Sequence, residues 1–432
     1  MKFKTKQLLP VLFVFSHNCQ AFDWLFEPDF GAKERYTDNL RMQINPRRDN
    51  FVTTLSPGVM LGYMAENHGL NASFTWNELI YHGESDLNFS EKIASINQNY
   101  NGERFKAGIS ARYAEQSTIN TQLDIDGTGN LQIQIPKTTR SISPNFTYNL
   151  TERDSLQLSY NYTDVGFTKQ PGLNASRTFS DYSNQQYAST LTHSFSERFS
   201  LNLSGSYSLF SSSSENPPGL FLNTFPVASG FSQKATTFNY QAGFQYTYDE
   251  RTRLSLSAGI RDTTTDISSF QNIDFQGAPI SVLFPSQPTV TSRSTKTSGN
   301  VFSANLDRKF DWGSLNVNAG RQLTPASTGG QRNTTNFSAN LRYNLTERWS
   351  TGVTATYLLS ESSTTNTSST VSNNRTYITL SPNIRWKWTP EINLELSYSY
   401  RQQQYESLNQ TAVGNNLQLQ FSYQPQINRQ VK

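Results

Sequence analysis

The chain has 432 residues, of which 35% are hydrophobic and 16% are charged, and its formal net charge is +3. Its aromatic content of 13% argues against a disordered chain, because disordered segments are poor in aromatic residues. The charge is spread along the chain without a basic block, so the composition gives no reason to expect a nucleic-acid partner.

The N-terminal residues predict a secretory signal peptide. Several lysines precede an apolar run at residues 8–15, and Cys19-Gln20-Ala21 supplies a small-x-Ala cleavage site. We therefore expect residues 1–21 to be removed. The positions before Cys19 are not small residues, so a lipoprotein signal is not expected. Since Cys19 is the only cysteine, the mature chain would have neither disulfides nor thiolate ligands.

Residues 22–424 alternate between apolar and polar side chains in segments that are joined by short turns and longer polar loops. In one segment Leu201, Leu203, Gly205 and Tyr207 share a face, and serine and asparagine occupy the positions between them. A short turn motif recurs, and its copies are Thr151-Glu152-Arg153, Ser196-Glu197-Arg198 and Thr346-Glu347-Arg348. This pattern predicts β-strands with one apolar and one polar face.

The segments predict an all-β fold: a transmembrane, antiparallel, up-and-down β-barrel of about eighteen strands in the bacterial outer membrane. Sixteen strands remain possible, because the first segment and the one at 91–101 are the weakest. A soluble sandwich also has period-two strands, but aromatic residues near the strand ends favour a membrane barrel. The two largest outer loops are expected at Glu215–Gln233 and Phe270–Thr295.

The C-terminal end predicts how the barrel is assembled. Outer-membrane barrels usually end on an aromatic residue, whereas here Phe421 and Tyr423 are followed by nine more residues. We interpret Phe421 and Tyr423 as the assembly signal for the barrel-assembly machinery and residues 425–432 as a periplasmic tail. The other expected contacts of the barrel are outer-membrane lipid and lipopolysaccharide.

Basic residues on the polar face are the candidate functional residues of the pore. Side-chain alternation directs seven of them toward the lumen: Lys106, Arg112, Arg261, Arg342, Arg385, Lys387 and Arg401. Basic side chains in a pore favour anions, although they can also be ordinary wall charges that bind their neighbours. Arg321 is an exception, because its alternation places it on the lipid-facing side.

Other motifs give no reason to expect an enzyme, a cofactor or a metal. Residues 124–130 look like part of a calcium loop, but Ile135 stands where a bidentate glutamate is needed, and an Asp-Gly turn between strands is the simpler interpretation. His82 and His193 are far apart in the sequence, and no Gly-x-Ser-x-Gly elbow is present. The tryptophans at strand ends favour anchoring at the membrane interface.

A resemblance adds a possible cargo. The motifs Phe26-Glu27-Pro28 and Tyr36-Thr37-Asp38-Asn39, followed by the run at 51–59, resemble the start of β-barrel porins from bacterial exopolysaccharide loci, including outer-membrane proteins associated with PEP-CTERM sorting systems. The resemblance implies export of a polysaccharide across the outer membrane, with polysaccharide export components as partners. The alternatives are a general diffusion porin and a structural or assembly component that is plugged by its loops.

Overall fold

A computed structural model describes residues 23–123, 127, 134–168, 179–221, 225–273, 289–362, 374–406, 409–425 and 428–430. The predicted signal peptide, residues 1–21, lies outside the described residues. Most of the segment at 124–130, including the acidic residues of the calcium-like motif, lies outside them as well.

Eighteen antiparallel strands form one closed sheet, in which each strand pairs with its neighbours in sequence and β18 pairs with β1. The strands are β1 (Asp23–Thr37), β2 (Asn50–Met64), β3 (His68–Tyr81), β4 (Phe89–Asn101), β5 (Phe105–Ser117), β6 (Pro136–Asn149), β7 (Asp154–Phe167), β8 (Asp181–Ser194), β9 (Phe199–Phe221), β10 (Phe225–Asp249), β11 (Thr252–Ile273), β12 (Thr289–Phe310), β13 (Gly313–Pro325), β14 (Gln331–Asn344), β15 (Trp349–Ser362), β16 (Arg375–Lys387), β17 (Ile392–Tyr405) and β18 (Gln410–Tyr423). The prediction of an eighteen-stranded up-and-down barrel is confirmed.

The ring closes where the first and last strands meet. Phe30 pairs with Tyr423, and the register continues to Thr37 opposite Asn416. Beyond this seam a three-residue strand, β19 (Asn428–Gln430), pairs with the first residues of β1. Part of the segment that we expected to be a periplasmic tail therefore lies along the barrel.

The two faces of the sheet have opposite chemistry, as the alternation predicts. Leu203 is 61% exposed and Ile260 is 58% exposed, and both lie on the outer face of the closed sheet. Serine, threonine, asparagine and glutamine fill the alternate positions on the inner face, where pairs such as Ser73 and Ser95 are hydrogen-bonded at 2.7 Å. A closed sheet pairs its backbone amides internally, so an apolar exterior of this kind can face hydrocarbon.

Short turns occupy one end of the barrel, and in bacterial outer-membrane barrels this end faces the periplasm. In the turn between β14 and β15, the Thr346 hydroxyl oxygen accepts hydrogen bonds from the backbone amides of Arg348 at 3.2 Å and Trp349 at 3.0 Å. The hydroxyls of Thr151, Ser196 and Thr389 accept equivalent pairs of bonds in their own turns. The recurrent motif is thus a hydroxyl-capped turn.

Strands β9 to β12 are longer than the sequence predicts. Strands β9 and β10 pair as far as Phe221 opposite Phe225, and β10 and β11 pair as far as Val227 opposite Ile273. The expectation of a large outer loop at Glu215–Gln233 is therefore wrong over most of that range. In Phe270–Thr295, strands cover 270–273 and 289–295, and the residues between them lie outside the described part of the chain. The two hairpins continue as sheet beyond their neighbours, since β8 begins only opposite Ser213.

Helical structure is minor in the described part of the chain. A four-residue helix, α1 (Thr118–Thr121), follows β5, and a 3-10 turn spans Ser85–Leu87. None of the helices among the described residues has the length and apolar character that a membrane-spanning helix needs. The Asp-Gly turn implies flanking strands at Thr121–Ile125 and Leu131–Ile135, but α1 includes Thr121, so the first of them does not start at that residue.

Candidate functional site: the lumen and its outer cap

The lumen face contains the predicted basic residues in different environments. Lys106 and Arg112 lie on β5, where Arg112 is exposed and has Ser95 and Ser141 opposite it on the flanking strands. Arg261 on β11 is 3% exposed, and its Nε and Nη1 atoms have no hydrogen-bond partner. The predicted cations do not form one ring, because they lie at different heights along the barrel. Lys106 is the second residue of β5, at the periplasmic end, whereas Arg401 donates to the Asn39 carbonyl in the outer β1–β2 connection.

Two of the predicted arginines are held by neighbouring side chains. Arg385 donates two hydrogen bonds to the same carboxylate oxygen of Glu395, from Nε at 2.9 Å and from Nη2 at 2.6 Å. Arg401 donates from Nη2 to the Asn416 side-chain oxygen at 2.9 Å and to the Thr37 hydroxyl at 3.3 Å. For Arg385 the simpler interpretation holds, since its charge is balanced within the wall.

The structure adds basic side chains that sequence reasoning missed. On the strands, the alternation that places Leu and Tyr outward places eight further cations inward: Lys33, Arg35, Lys137, Arg253, Arg293, Lys309, Arg332 and Arg375. The acidic residues with the same alternation are fewer: Glu27, Asp29, Glu91, Asp307 and Glu395. The alternation of apolar and polar residues could have identified these cations from the sequence. Near a strand end whose position is uncertain, however, the alternation does not assign a residue to one face.

At the periplasmic end, two predicted cations share a cleft. Arg342 and Lys387 line a cavity of about 620 Å³ together with Lys309 from β12 and Arg348 from a turn. Arg342 also lines a second cavity of about 340 Å³, which contains Arg385 and lies deeper in the barrel. The structure therefore brings Arg342, Lys387 and Arg385 into adjoining clefts on one wall.

At the outer end, chain segments fold inward and form a cap. An apolar cluster joins Leu40 from the β1–β2 connection, Leu87 from the 3-10 turn and Ile119 from α1 to Val52 and Tyr81 on the wall. These side chains are at most 4% exposed. These connections therefore pack on each other and on the adjacent wall at the outer end of the barrel.

Hydrogen bonds link opposite sides of the cap. The Ser327 hydroxyl, in the β13–β14 connection, donates to the Gln122 side-chain oxygen at 2.9 Å, and Arg375 at the start of β16 donates to the Gly127 carbonyl at 2.7 Å. In a ring of eighteen strands, β5 and β13 are eight strands apart, which is nearly opposite. The connection after β5 therefore reaches across the mouth.

The lipid-facing side accounts for the exceptional arginine and for the tryptophans. Arg321 donates to Glu361 on the outer face at 2.9 Å, so its charge is balanced there. Trp349 stacks on Trp386 with ring centroids 5.4 Å apart, and Trp386 stacks on Trp388 at 6.0 Å. These rings lie at the periplasmic strand ends, where amphipathic rings suit the membrane interface.

Some titratable groups outside the lumen also make short contacts. The His193 ring nitrogen lies 2.7 Å from an Asp154 carboxylate oxygen. His82 lies 2.8 Å from the Thr53 hydroxyl, which donates to a Glu34 carboxylate oxygen at 2.6 Å. Among the residues described, no three His, Cys, Asp or Glu side chains could hold a metal ion together. In the turn after β10, the Asp311 hydrogen bond and charge raise the pKa of the Arg251 guanidinium.

The predicted assembly signal lies in the last barrel strand. Phe421 and Tyr423 occupy the lipid-facing side of β18, and Tyr423 is its final residue. Their recognition by the assembly machinery stays a prediction.

The fold and the lumen together define a class of protein. A closed antiparallel barrel of eighteen strands with an apolar exterior, a polar lumen and short turns at one end is an outer-membrane β-barrel. The chain is thus a transmembrane β-barrel of the outer membrane.

Similarities to solved structures are of the same class. The ferric-catecholate import receptor Fiu from E. coli K12 superposes with a TM-score of 0.46 and 10% identity, over 92% of this chain and 81% of that chain. The outer membrane protein opdK from Pseudomonas aeruginosa gives 0.39 and 9%, over 93% and 98%. OccK2 (OpdF) from the same species gives 0.44 and 7%, over 93% and 98%. No family model and no curated protein sequence matches the chain.

Proposed function

We propose that this barrel is a transport channel of the outer membrane that prefers anionic, hydrophilic solutes. The observation that carries the proposal is the excess of cations over acids on the lumen face of the strands. Basic side chains that line a pore raise the local concentration of anions and lower that of cations. The cargo that the resemblance implies is an exopolysaccharide, exported with the help of polysaccharide export components.

The width of the ring is compatible with transport. Eighteen tilted strands spaced about 4.8 Å apart enclose a ring on the order of 30 Å across, wide enough for an aqueous channel after side chains are added. The proposed activity involves no chemical step, and the residues that carry it are wall cations such as Arg112, Arg261 and Arg342.

Ion selectivity tests the channel proposal. In planar bilayers with a potassium chloride gradient, the reversal potential should show preference for chloride. The preference should weaken from 0.1 M to 1 M salt, because the screening length falls from about 10 Å to about 3 Å. A triple Arg112→Gln, Arg261→Gln, Arg342→Gln variant should lose much of it, while Arg321→Gln, on the lipid side, should not. A cation-selective wild-type channel would refute the proposal.

Cargo needs a separate test. A strain that lacks the protein should retain the polysaccharide in its periplasm, and the wild-type gene should restore secretion. Normal secretion without the protein would end the export proposal and would leave a general diffusion porin as the remaining channel function.

One observation favours a second candidate, a structural or assembly component that is plugged by its connections. The outer cap brings the segments after β5 and β13 together by the bond from Ser327 to Gln122. Such a protein would show no steady conductance in bilayers at any voltage that the membrane tolerates. The same bilayer recording therefore separates the two functions.

A further inference from the structure

The cleft at the periplasmic mouth is rich in basic side chains. It is lined by Lys309, Arg342, Arg348 and Lys387, with Glu347 as its one acidic residue. The remaining lining residues are neutral or aromatic and include Ser314, Asn344 and Ser350. This concentration of positive charge in a concave surface is suited to an anion.

The charges in the cleft are not used by the protein itself. Arg385, deeper in the wall, is bound to Glu395 at 2.6 Å, and Arg251 on a neighbouring turn is bound to Asp311 at 2.7 Å. Lys309, Arg342 and Lys387 form no ion pair with any residue that the structure describes. Their side chains are exposed, so they are available to a ligand from solution.

The spacing of the cations indicates a ligand with more than one negative group. Lys309, Arg342 and Lys387 belong to β12, β14 and β16, and alternate strands of a sheet are about 10 Å apart. Arg348 joins them from the turn, because its carbonyl accepts the Lys387 backbone amide at 2.8 Å. A single small anion could contact only some of these groups, whereas a multivalent one could contact several.

The direction of the cleft identifies the source of the ligand. Lys309, Arg342 and Lys387 lie on the inner face of the sheet, opposite to the side on which Leu315 and Leu341 face lipid. The short-turn position of Arg348 places the cleft at the periplasmic entrance. A ligand therefore reaches it from the periplasmic solution and not from a lipid headgroup in the bilayer.

We propose that this cleft is a binding site for a multivalent oxyanion, a solute with two or more phosphate or carboxylate groups, at the periplasmic entrance of the lumen. Its role as the entrance site for cargo rests on the proposed channel function, whereas binding itself does not. Phosphate and carboxylate oxygens accept hydrogen bonds from arginine in pairs and from lysine as a point charge.

Equilibrium binding to the full mature chain in detergent micelles tests the site. Tripolyphosphate and citrate serve as the phosphate and carboxylate probes, and isothermal titration calorimetry at low salt gives their Kd. A triple K309Q, R342Q, K387Q variant should weaken binding of at least one probe by about tenfold, because every screened ion contact that these three side chains make with the probe is lost. A K309R, R342K, K387R variant should bind within a few-fold of wild type.

A matched control removes three charges from the same end of the barrel. Arg153 and Arg198 occupy the position of Arg348 in two other copies of the turn, and Lys106 is the lumen-facing lysine of β5. The R153Q, R198Q, K106Q variant should bind as the wild type does. Heat-dependent gel mobility shows that each variant has folded.

Two outcomes would overturn the site. Equal weakening in the matched control would mean that binding follows total charge, and unchanged binding in the K309Q, R342Q, K387Q variant would mean that the anion lies elsewhere. Neither outcome depends on conductance. If the binding experiment fails, the channel proposal is therefore not affected, because the bilayer recordings test it independently.

Discussion

Whether a side chain lies on the outer or the inner face of the sheet decides what a single substitution costs. Leu203 faces lipid and is 61% exposed, while its neighbour Ser204 faces the lumen on the same strand. A charge at the first position must enter hydrocarbon, whereas a charge at the second remains in water.

We therefore expect Leu203→Arg to lower the free energy of unfolding by about 2 kcal/mol, the order found for arginine on the lipid face of such barrels. Ser204→Arg should change it by less than about 0.5 kcal/mol, as surface substitutions generally do. Denaturant titration of protein folded into phospholipid vesicles measures both values. Equal losses would mean that β9 is not oriented as described.

Alternation is strict within a strand, so the sequence alone indicates the face of the sheet on which most side chains lie. Arg321 shows this well: alternation put it outward, and its partner there is Glu361 at 2.9 Å. Alternation could not predict that Arg385 would be bound by Glu395 or that Lys309 would be left without an acid. Those outcomes depend on the register between neighbouring strands.

At the scale of elements, the short turns owe their shape to one hydroxyl. Thr346 accepts two backbone amide hydrogen bonds, at 3.2 Å and 3.0 Å, and the backbone of the turn closes through Leu345 and Trp349 at 2.9 Å. The three turns with Thr151, Ser196 and Thr389 have the same arrangement.

Replacing Thr346 by valine should cost about 1 kcal/mol of unfolding free energy, the net value of such hydrogen bonds where water competes. Thr346→Ser keeps the hydroxyl and should retain most of the stability. The measurement is again denaturant unfolding in vesicles. If serine and valine are equally destabilising, the methyl group and not the hydroxyl stabilises the turn.

The lengths of the elements were predicted less well than their number. The turn motif marks the periplasmic ends of β6 to β9 and β14 to β17 in the sequence, and apolar–polar alternation was sufficient to count the remaining strands. No comparable motif marks the outer end of β9 to β12, where serine and threonine are common in strands and loops alike. Those strands continue because β10 pairs with both of its neighbours, which is a property of the sheet.

At the scale of the whole molecule, the cap lies at the outer mouth of the lumen. Two kinds of contact hold it, cross-lumen hydrogen bonds such as Ser327 to Gln122 at 2.9 Å and apolar packing around Leu87 and Ile119. A hydrogen bond contributes about 1 kcal/mol, and burial of one aliphatic side chain contributes about 2 kcal/mol. Packing is therefore the larger contribution.

We therefore expect that removal of the connection after β5 increases conductance through the lumen. Removal of the hydrogen bond between Ser327 and Gln122 alone should have little effect. Replacing residues 118–134 by a Gly-Ser linker should raise the conductance recorded in planar bilayers. The Gln122→Ala, Ser327→Ala double variant should stay close to wild type or show brief openings. Unchanged conductance in the linker variant, with normal heat-dependent gel mobility, would mean that the connection after β5 does not limit the lumen.

The amino-acid sequence by itself determined the class of this protein: about eighteen two-faced segments, several of them joined by a recurrent short turn, can satisfy their backbone in a membrane by closing into a barrel. That conclusion needs only local periodicity. Tertiary structure alone decided which cations meet in the periplasmic cleft, how far β9 to β12 extend and how the outer mouth is covered. These features join residues that are distant in sequence, as with Arg375 and Gly127, and local pattern holds no information about such contacts.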